Sequence, residues 1–258
     1  MKKVLLLLVV ALSSAIGYAQ GDDFGTSLSV EGDKKINKKL TVSIEAEMRT
    51  RDDVKTVDRW SGGLSASYKL LSWLKASAGY TFLYDNNERI SYYEEGDGKV
   101  EKGVVNVGEP KKCAQYWGVR HRFQVSLIGS YKLGDLELSL RERWQYTYRP
   151  EYTVDERWSY FDEDYDGEEH TYRGKGKNLL RSRLQAEYKI HDFPGTPFAN
   201  VELFNAWSLE KTRYTIGCDW KINKQNSVGL FYRYQTVNDD DDNETNRHVI
   251  GLGYQFKF

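Results

Sequence analysis

Nine arginines carry the chemistry this sequence could do: Arg49, Arg120, Arg122, Arg141, Arg143, Arg181, Arg183, Arg233 and Arg247. Three pairs among them, Arg120/Arg122, Arg141/Arg143 and Arg181/Arg183, are two residues apart. That spacing puts both side chains on one face of an extended strand. Carboxylates fall on the matching faces, at Glu45, Glu47, Glu137, Glu187, Glu202 and Asp219. A guanidinium is a planar fork that pairs bidentately with a carboxylate, so one expected outcome is an interior braced by salt bridges. Cations outnumber anions on these faces, so a second outcome is an arginine-lined path for small or acidic anionic solutes. An enzyme that modifies lipid or hydrolyses a substrate would need a His beside a Ser or Asp on neighbouring strands. The four histidines, His121, His170, His191 and His248, do not announce such a set. No catalytic residue is assigned, and a non-enzyme is expected.

The elements that must position these charges are strands. Leu40, Val42, Ile44, Ala46 and Met48 alternate with Thr41, Ser43, Glu45, Glu47 and Arg49. Leu180, Leu184, Ala186, Tyr188 and Ile190 oppose Arg181, Arg183, Gln185, Glu187 and Lys189. From 119 to 127 the odd positions read Val, His, Phe, Val, Leu, with Arg120, Arg122, Gln124 and Ser126 between them. Period-two alternation of apolar and polar residues specifies a strand with one face of each kind. Eleven segments read this way: 24–36, 40–50, 57–70, 73–84, 115–132, 136–149, 177–190, 199–209, 212–222, 226–237 and 246–258. Short connections at 37–39, 71–72, 133–135, 191–198 and 223–225 lie on one side. Long polar connections at 85–114, 150–176 and 238–245 lie on the other.

Short turns at one end and long loops at the other describe an all-β transmembrane barrel, antiparallel and up-and-down, with periplasmic turns and outer loops. A bilayer forbids open sheet edges, so the sheet must close. Trp and Tyr cluster near strand ends, as at Trp60, Trp73, Trp117, Trp144 and Trp220, where rings favour the headgroup level. Single-chain bacterial barrels have even strand numbers, so ten or twelve strands are expected, with 24–36 either not spanning or accompanied by a further strand.

The ends of the chain agree with this location. Met1-Lys2-Lys3 is a basic start, Val4–Ile16 is an apolar run and Gly17-Tyr18-Ala19 offers small residues before a cut. This is a secretory signal peptide over 1–19, leaving 20–258 as a single barrel domain of the cell outer membrane. Cleavage takes the net charge from −1 to about −3 by removing Lys2 and Lys3. The chain ends with apolar Tyr254, Phe256 and Phe258 at alternate positions, resembling the C-terminal signal read by the barrel assembly machinery. Expected partners are that machinery and outer-membrane lipids, around a monomer. Near-neutral charge gives no support for nucleic-acid binding. Cys113 and Cys218 lack neighbouring ligands, so no metal site or cofactor is expected.

Several runs resemble the bacterial outer-membrane barrels grouped as domain of unknown function 2490. They are Asp23-Phe24-Gly25, the Lys-Ile-Asn-Lys-Lys-Leu turn at 35–40, Glu45-Ala46-Glu47-Met48-Arg49, Arg120-His121-Arg122-Phe123 and Gly251-Leu252-Gly253-Tyr254. The resemblance covers the mature chain, implies a barrel and supplies no activity.

Two features need a structural answer. Strict alternation places Glu142 on the apolar face, where a charge is costly unless a bulge or rim position relieves it. The acidic outer segments, including Asp239–Asp242, read as solvated surface or as oxygen ligands for divalent cations.

Overall fold

The computed structural model describes residues 22–94, 107–238 and 245–258. The leader assignment at 1–19 and the Asp239–Asp242 run lie outside them. The chain forms β1 (Asp23–Lys35), β2 (Leu40–Arg51), β3 (Thr56–Lys69), β4 (Leu74–Tyr92), β5 (Pro110–Leu133) and β6 (Leu136–Arg149). Four short strands follow: β7 (Tyr152–Val154), β8 (Trp158–Ser159), β9 (Asp164–Tyr165) and β10 (His170–Tyr172). The wall resumes with β11 (Lys175–Tyr188), β12 (Gly195–Ala206), β13 (Ser208–Lys221), β14 (Asn226–Val237) and β15 (Arg247–Lys257).

Eleven strands close the barrel. Neighbours along the chain pair antiparallel, β4 pairs with β5, β6 pairs with β11, and β1 closes on β15. The expected ten or twelve is therefore corrected to eleven. The physical reason is the closing seam. β1 and β15 run in the same direction and pair in parallel from Asp23–Arg247 to Asp33–Lys257. A parallel ladder satisfies backbone N–H and C=O groups as an antiparallel one does, so closure does not require an even count. β1 spans the full wall, with β2 on its other side, and its first residue lies at the loop end.

The wall is built inside out relative to a water-soluble protein. Leu28, Ile44, Leu64, Phe123, Leu184, Ile216 and Leu252 are exposed. Thr50, Asp85, Asn87, Arg141, Gln145, Arg181 and Glu202 are buried. Side chains alternate across the sheet, so every second residue of each strand faces the lumen. One inward position on β15 must be glycine: a Cβ on Gly251 would fall 1.9 Å from Phe231 Cζ, whose ring lies across it.

Glu142 is relieved by a neighbour, not by a bulge or rim position. It sits mid-strand in unbroken register with Ser182 of β11, and Ser182 Oγ donates to its Oε2 at 2.7 Å. The two outward histidines are handled the same way. Tyr80 Oη meets His121 Nδ1 at 2.8 Å, and Tyr232 Oη meets His248 Nδ1 at 2.6 Å. In both cases the tyrosine lies two residues from the histidine's register partner, Phe82 or Tyr234. In hydrocarbon an unpaired polar group is costly, and a diagonal Tyr–His pair engages the hydroxyl and one ring nitrogen together.

The loop end is uneven. The 150–174 connection is not a bare loop: β7 pairs with β10, and β8 pairs with β9 and with β5 at Lys112 and Cys113. Tyr116 of β5 stacks on Tyr152 at 4.5 Å and on Tyr172 at 5.4 Å, anchoring this segment to the upper arm of β5. By contrast Trp207 alone joins β12 to β13. The hairpin is tighter than the expected strands at 199–209 and 212–222 imply, and Trp207 takes a left-handed φ of 73°.

Candidate functional site

The site is the lumen. Its outer half, toward the loop end, is braced by ion pairs, and Glu202 and Asp85 each hold two arginines. Glu202 of β12 binds Arg181 Nη2 through Oε2 at 2.8 Å and Arg141 through Oε1. All three side chains are nearly enclosed, with Arg141 10%, Arg181 11% and Glu202 8% exposed. Arg181 also donates from Nη1 to Gln145 Oε1 at 3.0 Å. Higher up, Asp85 of β4 stands between Arg59 and Arg120, and Arg120 donates to Asn87 Oδ1 at 2.8 Å. Arg49 binds Glu47 at 2.8 Å, and Ser27 donates to the other oxygen of that carboxylate. Arg247 reaches Asp23 at 2.6 Å and Asp58 at 3.1 Å.

Other lumen arginines have no carboxylate partner among the described residues. Arg143 donates to Ser126 Oγ at 3.0 Å. Arg233 lies over the Phe231 ring at 4.7 Å. Arg183 shares a face with Arg181 and is register partner to Arg141 and Glu202. Arg122 meets Thr147, and Arg213 meets Gln235. Phe204 points inward and carries two guanidiniums, Arg181 at 4.4 Å and Arg213 at 4.5 Å from its ring centre. Such contacts are favourable where water is scarce.

Two cavities open among these residues. One, of about 200 Å³, is lined by acids and bases together, including Asp23, Asp58, Asp85, Glu88, Arg51, Arg120 and Arg247. The other, of about 150 Å³, is lined by Arg49, Arg59, Arg120, Arg122, Arg149, Arg181 and Arg213, by Lys175, Lys177 and Lys211, and, among the described residues, by one acid, Glu210. Lys177 binds that acid at 2.7 Å. Toward the turn end the lumen parity carries both signs, with Lys35, Lys69, Lys75, Lys132 and Lys221 beside the carboxylates. Glu31, Asp33, Glu45, Glu187 and Asp219 lie on the lumen parity of the lower strands, with Lys257 among them. Gln185 donates to Glu187 at 2.6 Å, and Gln255 donates to Asp33 at 2.8 Å.

Arg59, Arg213, Asp85 and Phe204 are lumen residues that sequence reasoning passed over. Arg59 and Arg213 sit on the polar parity of β3 and β13, so the same alternation signal could have found them. Phe204 had no such signal, because an inward phenyl is explained only by the two guanidiniums on it. Tyr254 and Phe258 of the C-terminal segment face outward and are exposed, and Phe256 and Phe258 meet edge to face at 4.6 Å.

Outside the wall, Asp166 is held by Lys112 and Arg157 together. Burial alone would raise its pKa. The Lys112 ammonium at 2.7 Å and the backbone N–H groups of Arg157 and Glu168 overcome this and hold the carboxyl well below the usual range. Among the described residues no cluster of His, Cys, Asp and Glu is arranged to hold a metal ion. Cys113 and Cys218 are unbridged.

A closed sheet with apolar side chains outside and ionised ones inside is the build of an outer-membrane β-barrel, and this chain is one. It belongs to the family described as protein of unknown function (DUF2490), whose model matches residues 24–246. Comparison with curated proteins finds no match. Among solved structures the chain is similar to the β domain of the Bordetella autotransporter BrkA, at 11% identity and TM-score 0.49, over 83% of this chain and 78% of that one. It is similar to the translocator domain of the autotransporter NalP from Neisseria meningitidis, at 12% and 0.48, over 81% and 71%. It is also similar to the CymD monoaromatic hydrocarbon channel, at 9% and 0.36, over 78% and 65%. Likeness at this level concerns the fold alone.

Proposed function

We propose that the protein is a narrow, anion-preferring channel of the outer membrane, with a lumen braced by ion pairs. The observation that carries this reading is the outer lumen cavity, where among the described residues seven arginines and three lysines face a single glutamate. Fixed cations on a narrow wall concentrate anions and repel cations. The solutes that fit are small anions, acidic saccharides included. The barrel works as a monomer without a cofactor. Its terminal Tyr254, Phe256 and Phe258 serve recognition by the assembly machinery.

The test is single-channel recording of the refolded mature protein in a planar bilayer under a salt gradient. Discrete steps and an anion-selective reversal potential are expected. Arg122→Ala and Arg143→Ala should move the reversal potential toward zero, because among the described residues neither arginine forms an ion pair with a carboxylate. Arg120→Ala and Arg141→Ala should instead cost stability first, because both arginines hold carboxylates.

A second reading has its own support. Glu202 and Asp85 each tie together two arginines, which suits a closed barrel with an envelope-structural role. A folded protein that gives no conductance steps would favour it. No catalytic role is proposed, since His121 and His248 are engaged by tyrosines on the outward face.

A further inference from the structure

Two arginines of the outer lumen stand apart from the ion-pair bracing. Arg122 of β5 and Arg213 of β13 both line the cationic cavity. Among the described residues neither forms an ion pair with a carboxylate. Arg122 Nε reaches Thr147 Oγ1 at 3.4 Å, and Arg213 Nε donates to Gln235 Oε1 at 2.7 Å. Arg122 stands in the field of Arg59, Arg181 and Arg49. Arg213 stands in that of Arg233, Arg49 and Arg181. Like charges crowded where water is limited repel strongly, and the crowding is relieved when an anion enters.

Access is also built in. The segment after β6 is anchored to the upper arm of β5 through Tyr116, Tyr152 and Tyr172. On the other flank of the cavity, beside Lys211 and Arg213, Trp207 alone closes the β12–β13 hairpin, and it is fully exposed. The wall is therefore at its shortest connection next to the cavity, on the loop end.

We propose that this chamber is a binding site for a compact multivalent oxyanion bearing phosphate groups, held between Arg122 and Arg213. A phosphate group carries up to two charges on three oxygens, so one group serves several guanidinium forks, which a crowded cluster needs. The inference rests on the same cationic cavity as the channel reading but not on conduction, since a ligand can bind in a lumen it does not cross. The phosphate could come from a soluble anion or from a lipid headgroup reaching over the Trp207 hairpin.

The experiment is calorimetric titration of inorganic pyrophosphate into the full mature barrel, refolded in zwitterionic detergent at low salt. Saturable binding is expected, weakened at least tenfold by Arg122→Gln and by Arg213→Gln. Unfolding midpoints in denaturant supply the second readout. Pyrophosphate should raise the wild-type midpoint and leave that of Arg122→Gln nearly unchanged. Without ligand, Arg122→Gln should be no less stable than wild type, because it relieves repulsion. No saturable binding to the wild type, or wild-type affinity in both variants, overturns the proposal. Repeating the titration in nanodiscs containing cardiolipin assigns the source. Loss of pyrophosphate binding there makes a lipid headgroup the occupant, and unchanged binding makes it a soluble anion. Binding without conductance would retain the chamber and remove the channel.

Discussion

Asp23 opens β1 and Arg247 opens β15; they are register partners across the parallel seam, and their side chains meet at 2.6 Å. The seam is where the barrel could open, because it joins the first strand to the last. Arg247 also reaches Asp58 of β3 at 3.1 Å, so one guanidinium ties β15 to β1 and to the strand beyond β2. Asp23→Asn removes one charge and leaves Arg247 partly enclosed. We expect a loss of about 1–3 kcal/mol, read as a lower urea midpoint of the detergent-folded barrel. Asp58→Asn should be milder alone and worse when combined with Asp23→Asn. An unmoved midpoint in the double variant would mean that the ladder, not the ion pairs, holds the seam.

Glu202 is the single anion between Arg141 and Arg181. Glu202→Gln keeps its volume and strands two enclosed guanidiniums, which should cost about 3–5 kcal/mol. The same change adds net positive charge to the lumen and should sharpen anion selectivity if the protein still folds. Urea unfolding measures the first effect, and the bilayer reversal potential measures the second.

The Ser182–Glu142 hydrogen bond makes a carboxyl group tolerable on the outward face. Ser182→Ala should destabilise by about 1–3 kcal/mol, since it removes the donor and leaves the acceptor in place. Glu142→Leu should be neutral or stabilising. The double variant should be no worse than Glu142→Leu alone, and a double-mutant cycle that comes out additive would deny the coupling.

Tyr80→Phe tests the reading of the outward histidines as mutually satisfied pairs. It should leave His121 without its partner and cost about 1–3 kcal/mol. Replacing Tyr80 and His121 together, by Phe and Leu, should restore most of that loss in the urea midpoint.

Asp166 gives the outer segment a pH dependence of known sign. Its folded pKa is depressed below the unfolded value of about 3.9. The stabilisation is therefore complete above about pH 4 and is lost as pH falls through that value toward the depressed one. Hydrogen exchange in β8 and β9 should be slow at pH 6, after correction for intrinsic rates, and faster at pH 3. Asp166→Asn should remove that difference. Protection that survives at pH 3 in the wild type would assign the order of this segment to the tyrosine stack instead.

Much of this molecule is local and therefore legible. Alternation at Glu45, Glu47 and Arg49, or at Arg181 and Arg183, follows from the period-two geometry of a single strand. No knowledge of any neighbour is needed to place these side chains opposite Ile44 or Leu184. The same rule reaches Arg59 and Arg213, which a fuller application would have included. The strand number was less legible, because the even-count rule assumes that both ends of the chain lie at one end of the barrel. That assumption fails where β1 joins β15 in parallel.

By itself the sequence determined an all-β barrel with apolar residues outside, arginine and glutamate inside and long connections at one end, because each follows from residue types along one strand or between two. Only the tertiary structure decided which charges meet. Glu202 holds Arg141 and Arg181, Asp85 holds Arg59 and Arg120, Ser182 shelters Glu142, and Arg122 and Arg213 form no ion pair among the described residues. Those outcomes depend on register around the closed sheet. A shift of one strand by two residues would keep every side chain on its face and exchange every partner.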